Sequence, residues 1–406
     1  MNARSLDGIR VLDLSRILAG PYCTQLLGDL GADVIKIERP LLGDDTRSWG
    51  PPNLRTKDGE AEKESGYYMC TNRNKRSVTV DIAKPAGQEL VRALLSKCDV
   101  LVENFKVGGL RKYGLSYEQL QGALPRLVYC SITGFGQTGP YAQRPGYDLL
   151  AQGMGGIMSV TGDPRGLPSK IPVAIDDIMT GMYATVAIIA ALRHRDVAGV
   201  GQQIDIGLLD TQVSWLANVG INYLMSGEIP QRLGSAHPNV VPYQAFPSSD
   251  GYFILGTGND EQFQRLCRLL GQSGWSRDPR FATNSERVRH RDTLIDLIAR
   301  HTSKRPTKYW LEQLEQIGLP CAPVNTIDQV FANPQVSHRG MKISMSHALA
   351  ATGAVDLIGN PLKLSATPVA YQRPPPQLGE HTQEVLTELL NVNATDLQQL
   401  REQGVI

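Results

Sequence analysis

Two adjacent carboxylates, Asp176 and Asp177, stand where a proline-bounded loop, SKIPVAI, turns into a long apolar helical pattern, with Gly181 four residues beyond the second. A carboxylate in that place has two uses. It can cap the helix by accepting the free main-chain N–H groups of the first turn. Alternatively, burial and neighbouring groups can tune it as a nucleophile in covalent chemistry. Spacing alone leaves cap and catalysis open, and leaves open which of the pair does either.

Other familiar arrangements are missing. There is no G-x-S-x-G, so acyl-enzyme chemistry on serine lacks its motif. Glu38 ends the second apolar run, where an acid can meet a ribose, but SRILAGP places bulky Ile17 and Leu18 where a G-x-G turn must admit a pyrophosphate; NAD binding is not expected. No G-x-x-x-x-G-K-[ST] loop offers ATP a phosphate cradle. The six cysteines lie far apart, without a C-x-x-C pair or a histidine at metal-ligand spacing, so they read as thiols of a reducing compartment and no metal site is expected. Basic residues cluster at Arg39, at Arg73, Lys75 and Arg76, and at Lys106, Arg111 and Lys112. They suit either a phosphorylated ligand at strand carboxyl ends or a solvated rim.

The elements that must position these groups follow a βαβ pattern. Short apolar runs, IRVLDLS from Ile9, DVIKIE from Asp33, VTVDI from Val78, DVLVENF from Asp99 and LVYCSIT from Leu127, alternate with helical stretches and predict a mostly parallel sheet. Leu18 to Gly31 predicts the first helix, with Pro21 near its first turn and Gly31 as its stop. Gly- and Pro-rich loops from Gly134 and Gly162 precede two apolar helices, Asp177 to Arg193 and Leu208 to Tyr223, both expected to face a core. From about Pro230 the pattern changes to the strand YFILGTG and three amphipathic helices around Gln262, Thr293 and Tyr309, a smaller α+β region. The tail reads as a strand-like PLKLSA, a proline cluster and two helices. Expected boundaries are a large α/β, Rossmann-like domain over residues 1–225, a small domain over 226–330 and a segment over 331–406 that returns to the first.

With 41 basic and 40 acidic side chains, no overall field draws the chain to nucleic acid or an anionic membrane. The N-terminus lacks the apolar core of a signal peptide, and no apolar run approaches the roughly 20 residues of a membrane span. A cytoplasmic location is the expectation.

Several segments together resemble the class III CoA-transferases, the CaiB/BaiF family, in family order across nearly the whole chain: LDGIRVLDLSRILAGP, LGADVIKIERP with GDDTRSWGPP, NRNKRSVTVD, VENFKVGGLRKYGL, YCSITGFGQTGP, the Asp177-to-Gly181 spacing and LGEHT. The resemblance implies that Asp177, not Asp176, is the nucleophile. It also implies that Ile17, Arg39, Asn104, Phe105, Gly109 and Lys112 hold coenzyme A. Lys112 stands where the formyl-CoA enzyme has arginine, which keeps charge without the planar fork. Ala83 stands where that enzyme has a lysine, with Lys84 beside it.

Within the family, RLGSAHPNVVPYQAF is similar to the succinyl-CoA-dependent dicarboxylate transferases, including the succinate–hydroxymethylglutarate enzyme. That similarity implies an acyl-CoA donor, a small diacid acceptor such as itaconate, citramalate, malate, glutarate or hydroxymethylglutarate, and a loop His237 able to donate to a substrate carboxylate. The alternative is a 2-methylacyl-CoA racemase of the same fold. Those racemases carry G-H-D where this chain has Gly146-Tyr147-Asp148, and a phenol of pKa about 10 is a poor substitute base. Tyr147 is thus a second substrate-side residue. The resemblance further implies an interlocked homodimer and chemistry with coenzyme A as substrate, without ATP, metal or a permanently bound cofactor. Main-chain N–H groups at the helix start are expected to stabilise the Asp177 anion.

Overall fold

The structure, a computed structural model, describes residues 4–56, 58–59 and 61–406, and of residues 61–63 the backbone alone. Internal contacts divide the chain into two units: Met1–Gly156, Ile171–Trp215 and Pro334–Ile406 form unit 1, and Ile157–Lys170 with Leu216–Asn333 form unit 2. Relative to the expected boundaries, Ile157–Lys170 and the residues from Leu216 fall in the second unit.

Unit 1 is built on six parallel strands: β1 (Arg10–Asp13), β2 (Asp33–Glu38), β3 (Lys75–Thr79), β4 (Val100–Glu103), β5 (Val128–Thr133) and β6 (Gln203–Gly207). Their spatial order is β3-β2-β1-β4-β5-β6, so the connection reverses direction between β1 and β4. Ligands of such sheets bind outside the strand carboxyl ends at that reversal. Both faces are covered, which is why the strands read as continuous apolar runs. On one face Val11, Val34, Val100, Val128 and Ile132 pack with Cys23 and Leu27 of α1 (Ala19–Asp29) and with Ala184, Ile188 and Leu192 of the long helix Ile175–Ala198. On the other, Leu12, Ile35, Leu101 and Tyr129 pack with Val91 and Leu94 of α2 (Pro85–Leu95) and with Val385 and Leu386 of the helix Thr382–Leu390. Each Val, Leu or Ile among them contributes roughly 1.5–3 kcal/mol on burial.

The third strand begins earlier than the Val78 expected, because its polar start is neutralised in place. Lys75 pairs with Asp13, and Arg76 with Asp33. Arg73, just before the strand, grips Asp29 at 2.6 Å. These three cations therefore lie at the amino end of β3 as buried structural partners, not on a rim at the carboxyl ends. Glu38 is equally committed: it accepts Arg47, Ser77 Oγ and the Asp44 N–H.

Two further elements, α3 (Asp148–Met154) and α4 (Ile175–Ala198), carry the chain from β5 to β6, and α5 (Leu208–Ser214) follows β6. Helix α4 is long and apolar enough to cross a membrane, contrary to the reading of the sequence; it packs one face on the unit 1 core and carries two aspartates in its first turn. The helix expected over Leu208 to Tyr223 is broken after Ser214. It resumes as Ala217–Ser226 in unit 2, where no residue of that segment is buried. PLKLSA forms no strand.

Unit 2 holds a three-stranded antiparallel sheet with Tyr252–Gly256 between Tyr243–Pro247 and Cys321–Pro323. The helices Asp260–Leu269, Arg291–Thr302 and Thr307–Gln316 enclose a core of Phe246, Phe253, Phe263, Leu294, Ile298, Trp310 and Leu314.

Candidate active site

Helices that cross between parallel strands run against them, so α4 presents its first turn at the strand carboxyl ends. Gly181 explains how close it comes to α1. A Cβ there would lie 2.6 Å from the Ala19 carbonyl oxygen and 3.2 Å from the Cys23 nitrogen. The four-residue spacing from Asp177 to Gly181 thus places the aspartate one turn ahead of a backbone-to-backbone contact with the start of α1.

The residue at the N-cap of α4 is Ala174, which has no side-chain acceptor. Asp148, at the start of α3, supplies one from outside the helix. Its Oδ1 accepts the N–H of Asp176 at 2.9 Å and that of Asp177 at 3.4 Å, while its Oδ2 accepts Gln152 Nε2 at 2.7 Å. Gln152 in turn accepts the Ile171 N–H at 2.9 Å, fixing the loop that leads into α4. The aspartates of the pair are therefore free of capping duty. This also corrects the expectation that the N–H groups at the helix start stabilise the Asp177 anion, since two of them are given to Asp148.

Burial, followed by the Asp148 charge, raises the Asp177 carboxyl to about 7. Asp176 is 2% exposed, and burial, then Asp148 and Asp177, raise it to about 8. Neither Asp176 oxygen has a hydrogen-bond partner among the described residues. Asp177 as a residue is half-buried, where Asp176 is almost wholly enclosed. Tyr67 is a neighbour that reading the sequence missed. Burial, then the charge of Asp177, pushes its hydroxyl up to about 12, so the phenol stays protonated in the field of that carboxylate. Its ring meets that of Trp49 edge-on at 5.1 Å. Asp148 was missed as well, because its role depends on a contact between separate segments; the only trace in the sequence is its place after Tyr147.

The residues matched to coenzyme A positions converge on the same edge of the sheet. Ile17 follows β1, Arg39 follows β2, and Asn104 and Phe105 follow β4, so Ile17 and the Asn104–Phe105 pair flank the reversal between β1 and β4. Asn104 joins the two loops: its Oδ1 accepts the Arg16 N–H at 3.1 Å and its Nδ2 donates to the Arg16 carbonyl at 2.7 Å. The Phe105 N–H donates to Glu103 Oε2 at 2.8 Å, and burial raises that carboxyl to about 7. Gly109 makes a tight turn in which a Cβ would stand 2.8 Å from the Lys106 carbonyl oxygen. Arg39 and Lys112 are exposed, Lys112 with its ammonium 4.7 Å from the Tyr113 ring centre.

Tyr147 precedes α3 and is 61% exposed. His237 belongs to unit 2. Its Nδ1 accepts the Asn239 N–H at 3.0 Å, which leaves the proton of the neutral ring on Nε2, and its carbonyl is held by Arg291. No group of three or more His, Cys, Asp or Glu side chains able to hold a metal occurs among the described residues.

Residues 6–382 match the sequence profile of CoA-transferase family III. The chain is 50% identical over 391 residues to the succinate–glutarate CoA-transferase of Agrobacterium fabrum, covering 96% of this chain and 97% of that one. It is 42% identical over 405 residues to the succinyl-CoA:glutarate CoA-transferase of Homo sapiens, covering 100% of this chain and 90% of the other. A solved structure of a CaiB/BaiF family protein from Brucella suis superposes with a TM-score of 0.84 at 49% identity, over 96% of this chain and 100% of that one. An aspartate freed from capping at the carboxyl edge of a parallel sheet thus stands in a chain that belongs to CoA-transferase family III and is a CoA-transferase.

Proposed function

We propose that this CoA-transferase moves coenzyme A from succinyl-CoA to a small dicarboxylate, glutarate foremost, through Asp177. The observation that carries the reading is the Asp177 carboxylate in the first turn of α4, free of capping because Asp148 accepts the main-chain N–H groups there. Likeness to two glutarate enzymes at 50% and 42% identity supports the choice of donor and acceptor.

The Asp177 anion attacks the thioester carbonyl of succinyl-CoA, forming an aspartyl–succinyl anhydride and releasing CoA thiolate. The thiolate attacks the aspartyl carbonyl, which gives aspartyl-CoA and frees succinate. A carboxylate of the acceptor then attacks aspartyl-CoA, forming a second anhydride and again CoA thiolate. Attack of that thiolate on the acceptor carbonyl yields the new acyl-CoA and restores Asp177. Over the whole cycle one thioester is lost and one is formed, so the reading needs no ATP, metal or permanently bound cofactor. Ile17, Arg39, Asn104, Phe105, Gly109 and Lys112 are the proposed contacts of coenzyme A, and His237 Nε2–H the proposed donor to the remote carboxylate of the acceptor.

Tyr147 in place of a histidine speaks against racemisation as the native activity. We also read the protein as an interlocked homodimer in the cytoplasm. Supporting the dimer, α4 exposes Val186 at 65%, and the helix Ala217–Ser226 exposes Met225 at 84%, apolar side chains that the single chain leaves uncovered.

The test is a panel of acids offered with succinyl-CoA, with acyl-CoA products read by mass spectrometry. Diacids should react and monocarboxylates of equal length should not; equal reaction of both classes overturns the diacid assignment. In heavy water, rapid α-deuterium uptake by 2-methylacyl-CoA without an acceptor acid would overturn transfer as the native activity.

A further inference from the structure

Ile17 has a φ of 74°, in the left-handed region that a β-branched residue enters only at a cost. Such a conformation persists only where its surroundings hold it. Here five successive main-chain groups are taken by side chains of residues outside the turn. The Ser15 N–H goes to Asp13 Oδ1 at 2.9 Å and the Ser15 carbonyl to Lys36 Nζ at 2.9 Å. Asn104 takes both the N–H and the carbonyl of Arg16. The Ile17 N–H goes to Asp44 Oδ1 at 3.2 Å.

Lys36 and Asp44 are themselves an ion pair of 2.9 Å, with side chains 1% and 0% exposed. Burying two charges this completely gains little over an apolar pair of similar volume, so such a pair is better explained by the geometry it imposes. Each partner spends one contact on the other and one on the Ser15–Ile17 main chain. Asp44 also accepts Thr46 N–H at 3.0 Å, which anchors it to the short helix Asp45–Ser48. The pair lies beneath the turn after β1, at the reversal of the sheet.

We propose that Lys36 and Asp44 are positioning residues for coenzyme A: they hold Ile17 in its left-handed conformation and so set the main-chain edge on which the thioester ligand docks. The proposal rests on the reading of Ile17 as a coenzyme A contact. It goes further in assigning two buried residues, which never touch the ligand, a share in its affinity.

The experiment is a double-mutant cycle between Asp44→Asn and Ile17→Gly, read as KM for succinyl-CoA, KM for glutarate and kcat. Asp44→Asn should raise KM for succinyl-CoA about tenfold while glutarate KM stays within about twofold. Glycine adopts positive φ without cost, so the factor lost on Asp44→Asn should be at least about threefold smaller in the Ile17→Gly background. An equal loss in both backgrounds, or no change in succinyl-CoA KM, overturns the proposal, because a pair that only neutralises itself would not be coupled to the conformation at residue 17. Should Asp44→Asn fail to fold, the paired change Lys36→Met with Asp44→Asn, which leaves no lone buried charge, carries the same cycle. Calorimetric binding of free coenzyme A to Ile17→Asp separates the two readings. If that variant binds as the parent does, the placement of coenzyme A fails and takes the proposal with it. If it loses binding while Asp44→Asn keeps it, the proposal alone fails.

Discussion

Oδ1 of Asp148 stands 3.4 Å from the main-chain nitrogen of Asp177 and accepts its N–H, so one carboxylate both caps the helix of the other and repels its charge. These two effects can be separated. Asp148→Asn keeps an acceptor for the cap but removes the charge that raises Asp177. The acidic limb of the kcat/KM profile for succinyl-CoA, expected near the Asp177 value of about 7, should then move down by about one pH unit. Asp148→Ala should in addition lose the cap and destabilise the protein by roughly 0.5–2 kcal/mol in thermal or urea unfolding. An unmoved limb in Asp148→Asn would remove Asp148 from the tuning of Asp177.

Gly181→Ala tests the contact between α4 and α1. Alanine favours the helix by about 1 kcal/mol over glycine, but its Cβ would press to 2.6 Å on the Ala19 carbonyl, which is backbone and cannot swing aside. Overpacking of this kind costs roughly 1–3 kcal/mol, so the variant should be less stable despite its better propensity. Ala19 follows directly on Ile17 and Leu18, so succinyl-CoA KM should also rise. A more stable variant with unchanged kinetics would show that the close approach is dispensable.

Stability should depend on pH in a particular direction. Asp177 and Asp176, at about 7 and about 8 against an ordinary 3.8, hold protons in the folded state that the unfolded chain has already released. Stability from these groups therefore falls as pH rises from about 4 toward about 8. Asp176→Asn should remove part of that slope and raise the melting temperature above the parent's by about 1–2 °C, near 1 kcal/mol, at about pH 8.5. The advantage should shrink toward acid. Calorimetry across pH checks this, and a variant that melts below the parent in alkali contradicts the raised carboxyl.

Much of this arrangement could be read in the sequence, and what could not has identifiable causes. The strands β1, β2, β4 and β5 are legible in the sequence because burial on both faces demands short, mainly apolar runs, even with Asp13 and Lys36 within them. Strand β3 was misplaced because Lys75 and Arg76 look solvent-seeking until Asp13 and Asp33 are known to meet them. For the same reason Arg73, Lys75 and Arg76 read in the sequence as either ligand contacts or a solvated rim, and not as the buried partners of Asp29, Asp13 and Asp33. Asp177 stands out in the sequence through its place at a helix start and through family resemblance, but its freedom from capping does not, since the cap comes from Asp148 on another segment. Tyr67 lay in no recognisable motif and is a neighbour of Asp177 only by folding.

His237→Ala removes the Nε2–H donor while Arg291 still holds the loop through main-chain carbonyls. Glutarate KM should rise about tenfold, with KM for succinyl-CoA changed less than about threefold, because a lost hydrogen bond to a charged group is worth roughly 1.5–3 kcal/mol. Unchanged acceptor kinetics would remove His237 from acceptor recognition.

The covalent role of Asp177 is tested most directly by trapping it. Hydroxylamine added during turnover with succinyl-CoA attacks an activated acyl carbonyl and leaves a hydroxamate, which peptide mass spectrometry locates. The hydroxamate should form on Asp177 and be absent in Asp177→Asn, a variant expected to fold and bind coenzyme A but to have lost transfer. A hydroxamate on Asp176, or near-normal transfer by Asp177→Asn, would contradict the covalent role.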